Sequence, residues 1–259
     1  MNKKLWSAFA GLCGFAAFAL SGIAADAHAQ EVKSKPPMYS YVANWQVPRA
    51  NWSEVGKAFD TVSGVLQQSL TDGYLVGYGD DTNLVHQPDA ETHDLWWSSM
   101  SLAGLLKTLD RIHAAADTTT PVFNDAKHWD SIYVSRYYNW KSGAFKNGYG
   151  HVSLYKLKAD APDDALDTLA QQLIVPLMEK QLASGAILEY EIDTEAIHTE
   201  APGIFAVVYV TPTAEGLDTV QGAVREAVKA APLFGEAFDS DTDYTGHRDQ
   251  LLKSEGAYK

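Results

Sequence analysis

One stretch of this chain is written twice. Leu70 to His86 recurs without a gap as Leu182 to His198, 112 residues later. Leu70/Leu182, Gly73/Gly185, Tyr78/Tyr190, Asp81/Asp193, Thr82/Thr194 and His86/His198 are identical, six of 17 positions. Background composition gives roughly one. At the same offset Gly104-Leu105 matches Gly216-Leu217, and Arg136 matches Arg248. A period this long exceeds that of stacked repeats and fits a duplicated domain.

The N-terminus has the form of a secretory signal over residues 1–29. Lys3 and Lys4 precede an apolar, small-residue stretch from Leu5 to Ala24, and Ala27-His28-Ala29 offers a cleavage site. A membrane anchor is the rival reading, since the stretch is nearly long enough to span. Cleavage predicts a secreted or periplasmic protein without stable membrane association. It also removes Cys13, the one cysteine, so the core must hold without disulfides. The whole chain carries −13, and losing two lysines against Asp26 makes the remainder more negative still. Such a surface repels phosphate backbones, and nucleic acid is not an expected partner.

Residues 30–37 form a polar leader, and residues 38–147 and 148–259 form the two repeats. In the first, Met38 to Val47 is aromatic and apolar, a strand ended by Pro48. Asn51 three residues before Glu54 is a capping-box-like start for a helix. Trp52, Val55, Phe59, Val62, Leu66 and Leu70 place its apolar stripe, and Gly73 stops it. Tyr74–Gly79 and Asp94–Met100 are strands around a polar hairpin connection, Leu102 to Ile112 a second helix, and Ser131–Trp140 a fourth strand. The second repeat keeps the same order. It comprises His151–Lys158, a helix through Leu166 and Leu182 kinked at Pro176, strands Ala186–Asp193 and Ile204–Val210, a helix ended by Pro232, and a strand near Tyr244–Leu252. A glycine-rich linker over Phe145–Gly150 joins the halves.

Two β-α-β-β-α-β units of this size resemble the ferredoxin-like fold. Fused in one chain, they resemble the dimeric α+β barrel superfamily, in which two such sheets face each other across a central cavity. The resemblance covers nearly the whole chain from residue 38. It implies an α+β fold in which two ferredoxin-like repeats form one intrachain α+β barrel. Superfamily members include cofactor-free monooxygenases of antibiotic biosynthesis, haem enzymes such as chlorite dismutase, isomerases and small stress-responsive proteins. Fold alone does not choose among these activities.

In such a barrel one face of each strand meets the helices and the other lines the cavity. Leu188, Tyr190 and Ile192 alternate with Glu189, Glu191 and Asp193, so Glu189 and Glu191 are expected to look inward as acid–base groups. The matching first-half positions are Gly77 and Gly79, which should leave room and make the cavity lopsided, with its charged wall in the second half. Arg136 joins the ligand-binding set; the competing role for it and for Lys156 is to pair with the glutamates. Trp45 and Trp97 are numbered among the aromatics that line the cavity, against a competing role as ordinary core. Chlorite-dismutase-like proteins place a haem-ligating histidine in a comparable region of the second half, which singles out His198 for ligation or catalysis. Pinning its loop, as His86 would pin the other, is the alternative. No metal spacing, phosphate loop, dinucleotide fingerprint or nucleophile elbow occurs, so neither a metal nor a cofactor is expected. The sequence thus reads as an exported small-molecule binder for an apolar or aromatic ligand. The alternatives are a cofactor-independent monooxygenase- or isomerase-like enzyme and a haem protein.

Overall fold

The computed structural model describes residues 33–115, 121–199 and 203–259. The signal and most of the leader lie outside them. In chain order the elements are β1 (Met38–Gln46), α1 (Trp52–Thr71), β2 (Gly77–Asn83), β3 (His93–Ser99), α2 (Leu102–Ala115), β4 (Lys127–Trp140), β5 (Gly143–Lys156), α3 (Ala165–Leu169), α4 (Val175–Ser184), β6 (Glu189–Glu195), β7 (Ile204–Thr211), α5 (Ala214–Ala230), α6 (Pro232–Asp241) and β8 (Arg248–Tyr258). The eight strands close into one barrel in the order β1-β3-β2-β8-β5-β7-β6-β4, every neighbouring pair antiparallel. Closure leaves no strand edge unpaired, a stable solution for a sheet that hydrogen-bonds on both sides.

Two apolar layers wrap the outside of this barrel. Val55, Phe59, Val62 and Leu66 of α1, with Leu105 of α2, pack on Tyr41, Leu95 and Trp97. Leu169, Met178, Leu182 and Val220 pack on Tyr137, Tyr190, Ile192, Phe205 and Val207. The strands are therefore covered by helices outside and by each other's side chains inside. All seven residues of β3 are buried for this reason.

Recurring residues meet recurring partners. Gly73 (φ 80°) ends α1 and Gly185 (φ 84°) ends α4, both in the left-handed region that a Cβ resists. A Cβ on Gly104 would lie 2.6 Å from the Tyr74 carbonyl oxygen, and one on Gly216 2.7 Å from that of Ala186. Tyr78 donates its hydroxyl to Gln67 Oε1 at 2.9 Å, and Tyr190 to Glu179 Oε1 at 2.6 Å.

Several boundaries differ from expectation. β4 and β5 are 14-residue strands separated only by Lys141 and Ser142, so Phe145–Gly150 is not a linker but part of β5. Its glycines serve a register shift between Phe145 and Gly148. β8 lies further along than Tyr244–Leu252. Tyr244–Gly246 is a 3-10 turn held by Asp243, whose carboxylate accepts the Thr245 N–H at 2.9 Å. Pro232 begins α6 rather than only ending α5, since a first-turn proline lacks an N–H that would be idle there. Before Pro176 the helix widens into a π turn over Ala170–Ile174, which accommodates the missing amide donor. Asn51 stands at the N-cap of α1 but makes no capping hydrogen bond, because a 3-10 turn over Arg49–Asn51 leads into the helix.

Candidate functional site

The inward faces of the strands enclose a cavity of about 780 Å³. Its rim is the β2–β3 connection around Val85–Glu91 with Trp129 and Arg248–Gln250 at the starts of β4 and β8. The register puts Gly77, Trp140 and Tyr258 at the other end. There the Tyr258 ring packs on Trp96 (5.5 Å between centroids), Trp140 (5.8 Å) and Phe145 (6.2 Å), plugging the barrel with aromatic groups.

The wall divides into two arcs. β8, β5 and β7 contribute Leu252, Val152, Leu154, Ala206, Val208 and Val210, an apolar surface. The remaining five strands form a polar arc with carboxyls at both of its ends: Asp81 and Asp94 on β2 and β3, and Glu189, Glu191 and Asp193 on β6. All five are buried, and no lysine or arginine among the described residues is. Alternation produces the β6 row, since Tyr190 and Ile192 point to the helices. The same rule sends Asp94, Trp96 and Ser98 inward while Leu95 and Trp97 go outward.

Carboxylates in such a site resist ionisation, because burial penalises the charge and each neighbour repels the next. Burial pushes Glu189 up to about 8, with Asp193 adding to the push and the Tyr258 hydroxyl pulling back. Burial, then Asp193 and Glu189, hold Glu191 well above the usual carboxylate range. Asp193 and Asp81 are raised by burial to about 6. Asp94 is held far up by burial and by Asp81 and Glu91. Hydroxyls moderate the β6 row. Ser40 donates to Glu191 Oε2 at 3.3 Å, and the single proton of the Ser135 hydroxyl is shared between Glu191 Oε2, also at 3.3 Å, and Asp193 Oδ1. Asp81 differs. Its Oδ1 has no hydrogen-bond partner of normal geometry, nor has Oγ of Ser254, the residue directly across the ladder.

Glu189 and Glu191 thus look into the barrel, where sequence alternation puts them. The charged wall is not confined to the second half, however. Asp81 belongs to β2, which runs three residues past Asp80, and a sequence reading that takes it for a turn former misses it. Asp94 is legible in the alternation of β3 but is masked by the tryptophans beside it. Tyr258 gives no signal, because the strand expected near Tyr244–Leu252 stops short of it. Gly77 and Gly79 leave no empty room. A Cβ on Gly77 would stand 2.5 Å from the Tyr258 ring, and one on Gly79 2.6 Å from Trp96, so the rings fill what the glycines vacate.

Four expected site residues lie outside the cavity. Trp97 stacks on Tyr41 (4.3 Å) and donates its Nε1–H to the Leu105 carbonyl at 3.3 Å, within the helix-facing core. Trp45 stacks between Phe123 (4.9 Å) and His128 (4.7 Å) in the same layer. Arg136 sits exposed at the register shift of β4 between Ser135 and Tyr137, and following the inward-facing Ser135 it turns away from the glutamates. His198 is exposed beyond the end of β6. His86 pins its loop, with Nε2 2.9 Å from the Asn83 carbonyl oxygen. Among the described residues no histidine lines the cavity, so those present supply no imidazole ligand for a haem iron there. Among the described residues no three His, Cys, Asp or Glu side chains converge to hold a metal ion.

These features define a class: an α+β fold built on a closed eight-stranded antiparallel barrel with a small-molecule-sized interior. Among solved structures, a candidate monooxygenase from Fusobacterium nucleatum subsp. nucleatum superposes with a TM-score of 0.63 at 10% identity, over 87% of this chain and 95% of its own. An anthrone oxidase-like protein gives 0.51 at 10% identity, over 89% and 94%. Chlorite dismutase from Candidatus Nitrospira defluvii in complex with imidazole gives 0.49 at 14% identity, over 86% and 92%. No protein-family profile and no curated protein matches the sequence. At these identities the likeness is one of fold.

Proposed function

We propose that this is an exported protein that takes up a small molecule inside its barrel, resting an apolar or aromatic body on the β8-β5-β7 wall. The observation that carries this is the cavity itself: about 780 Å³, within the range of ligand pockets, with one apolar arc and one arc of convergent polar groups. Its interior is too polar to be plain core, since five carboxyls would otherwise be buried without recompense. The paired glycine contacts and the paired tyrosine bonds support the accompanying inference that residues 38–147 and 148–259 are duplicated ferredoxin-like units.

Native mass spectrometry of the protein purified from its source tests the binding reading. A retained small-molecule mass is expected, and Val208→Trp, which fills the cavity from the apolar side, should lose it while keeping the circular dichroism of the parent. If the filled variant retains the same mass, the ligand sits elsewhere and the reading fails.

A catalytic reading is favoured by one specific feature. Burial raises Glu189 to about 8 with the Tyr258 hydroxyl beside it, so it can give a proton to a bound molecule and take one back. Monooxygenase- or isomerase-like proton transfer at a carbon acid suits that pair. Loss of turnover in Glu189→Gln well beyond any loss of ligand retention is the result expected of a catalyst; turnover that falls only as far as retention does removes Glu189 from that role.

A further inference from the structure

We propose that the ligand of this barrel is a small organic ammonium ion, its charge held among Asp81, Asp94, Glu189, Glu191 and Asp193 and its apolar body on the opposite arc. The proposal rests on the reading that the barrel binds a small molecule, and names the chemical class of that molecule.

The first argument is charge balance. The five carboxyls are each at most 8% exposed, and no protein cation is buried with them. The cation at the rim, Arg248, is itself exposed and stands beside Asp249. A site of this kind has two ways to relieve itself: its acids keep their protons, or a cation comes in from outside. Near neutral pH the first is incomplete for Asp81 and Asp193, which are raised only to about 6. A bound cation relieves the whole row at once.

The second argument is independent of charge. Asp81 lines the cavity, is 8% exposed, and its Oδ1 accepts no hydrogen bond. The Ser254 hydroxyl across the ladder is the nearest donor to it, and neither group reaches a partner at normal hydrogen-bond geometry. Buried acceptors are almost always satisfied, and a carboxyl oxygen at a cavity wall whose neighbours offer no well-formed bond has room for a further donor. An ammonium N–H supplies that donor, and its positive charge makes the bond a strong one.

The third argument separates an organic cation from a bare metal ion. Along β6 the acids occupy alternate positions, spaced by the strand repeat, and those of β2 and β3 stand at the other end of the polar arc. No three converge as metal ligands do. A row of acids spread along a cavity, facing Val152, Val208 and Leu252, matches a charged head on an apolar body.

The test is a matched pair of probes titrated calorimetrically into the full chain at pH 7: 2-phenylethylammonium and 2-phenylethanol, alike in shape and differing in charge. The ammonium should bind at least tenfold more tightly. Asp81→Asn and Glu191→Gln should each weaken the ammonium several-fold and leave the alcohol unchanged, and either variant alone suffices should the other misfold. Val208→Trp should abolish both. Equal or tighter binding of the alcohol overturns the ammonium proposal and leaves the small-molecule reading standing. Binding of neither probe overturns both. Ammonium binding that survives Val208→Trp, or that Ca²⁺ alone displaces at equal concentration, places the cation at a surface or metal site and also overturns the proposal.

Discussion

The Tyr258 hydroxyl lies beside the Glu189 carboxyl at the plugged end of the barrel, where the last strand and β6 meet through side chains alone. Burial raises both groups, Glu189 to about 8 and Tyr258 well above its usual range. The pair therefore holds its protons together at neutral pH.

Stability should fall as the medium becomes alkaline. An acid whose folded pKa is raised binds more protons in the native state, so its contribution is complete below the unfolded value near 4 and is lost as pH climbs through the folded value. For Glu189 that window runs from about 4 to about 8. His93 acts oppositely below its unfolded value of 6.5, since burial lowers it to about 4. The net slope should be clearest between pH 6.5 and 8, at roughly 1.4 kcal/mol per pH unit from Glu189 alone. Thermal unfolding across that window should show Tm dropping by a few degrees; a flat or rising profile contradicts the site's electrostatics.

Replacing Glu189 and Glu191 together by Gln should preserve the fold and raise Tm at pH 8 by several degrees, with little change at pH 5. Amides keep the shape of protonated acids and cannot repel each other. A drop in stability at pH 8 would mean that the native carboxylates are already neutralised by a bound cation.

Gly104→Ala and Gly216→Ala should each destabilise the protein by about 1–3 kcal/mol, because the added methyl meets a backbone oxygen that cannot move aside, besides the Ser99 or Thr211 side chain. Urea denaturation reads this directly. Gly150→Ala is the control, since its methyl would meet only the Leu252 side chain at 3.2 Å and should cost less.

Tyr190→Phe should cost about 1–2 kcal/mol, because it removes the tyrosine donor to Glu179 beside a fully buried ring and leaves that carboxylate only its bonds from Asn139. Tyr78→Phe breaks the corresponding bond to Gln67, which lies in an exposed setting, and should cost a few tenths of that. Equal costs in chemical denaturation would contradict the difference in burial.

His198→Ala and Arg136→Ala should leave probe binding unchanged, because both side chains are exposed outside the barrel. A tenfold loss of affinity in either would require the ligand to extend beyond the cavity.

Short-range physics made much of this architecture legible in the sequence. The helical stripe of Val55, Phe59, Val62 and Leu66 and the two-residue alternation of Glu189, Tyr190, Glu191 and Ile192 depend only on local backbone geometry, which periodicity reports. The left-handed glycines at 73 and 185 and the close-approach glycines at 104 and 216 recur because the same backbone contact is made twice. What only the tertiary structure decided was which residues share a space. Barrel closure through β2–β8 and β4–β6 brings Asp81 and Asp94 into one cavity with acids more than 90 residues away, and no local pattern encodes that meeting. Two-sided burial disguised the walls as well. On β3 both faces carry tryptophan, and it is the ring order of the strands that turns Trp96 to the cavity and Trp97 to the helices. Arg136 follows the inward-facing Ser135 and so turns away from the site, and the bulge between Ser135 and Tyr137 leaves it as the extra residue without a cross-strand partner, a placement that only the pairing of β4 with β6 decides.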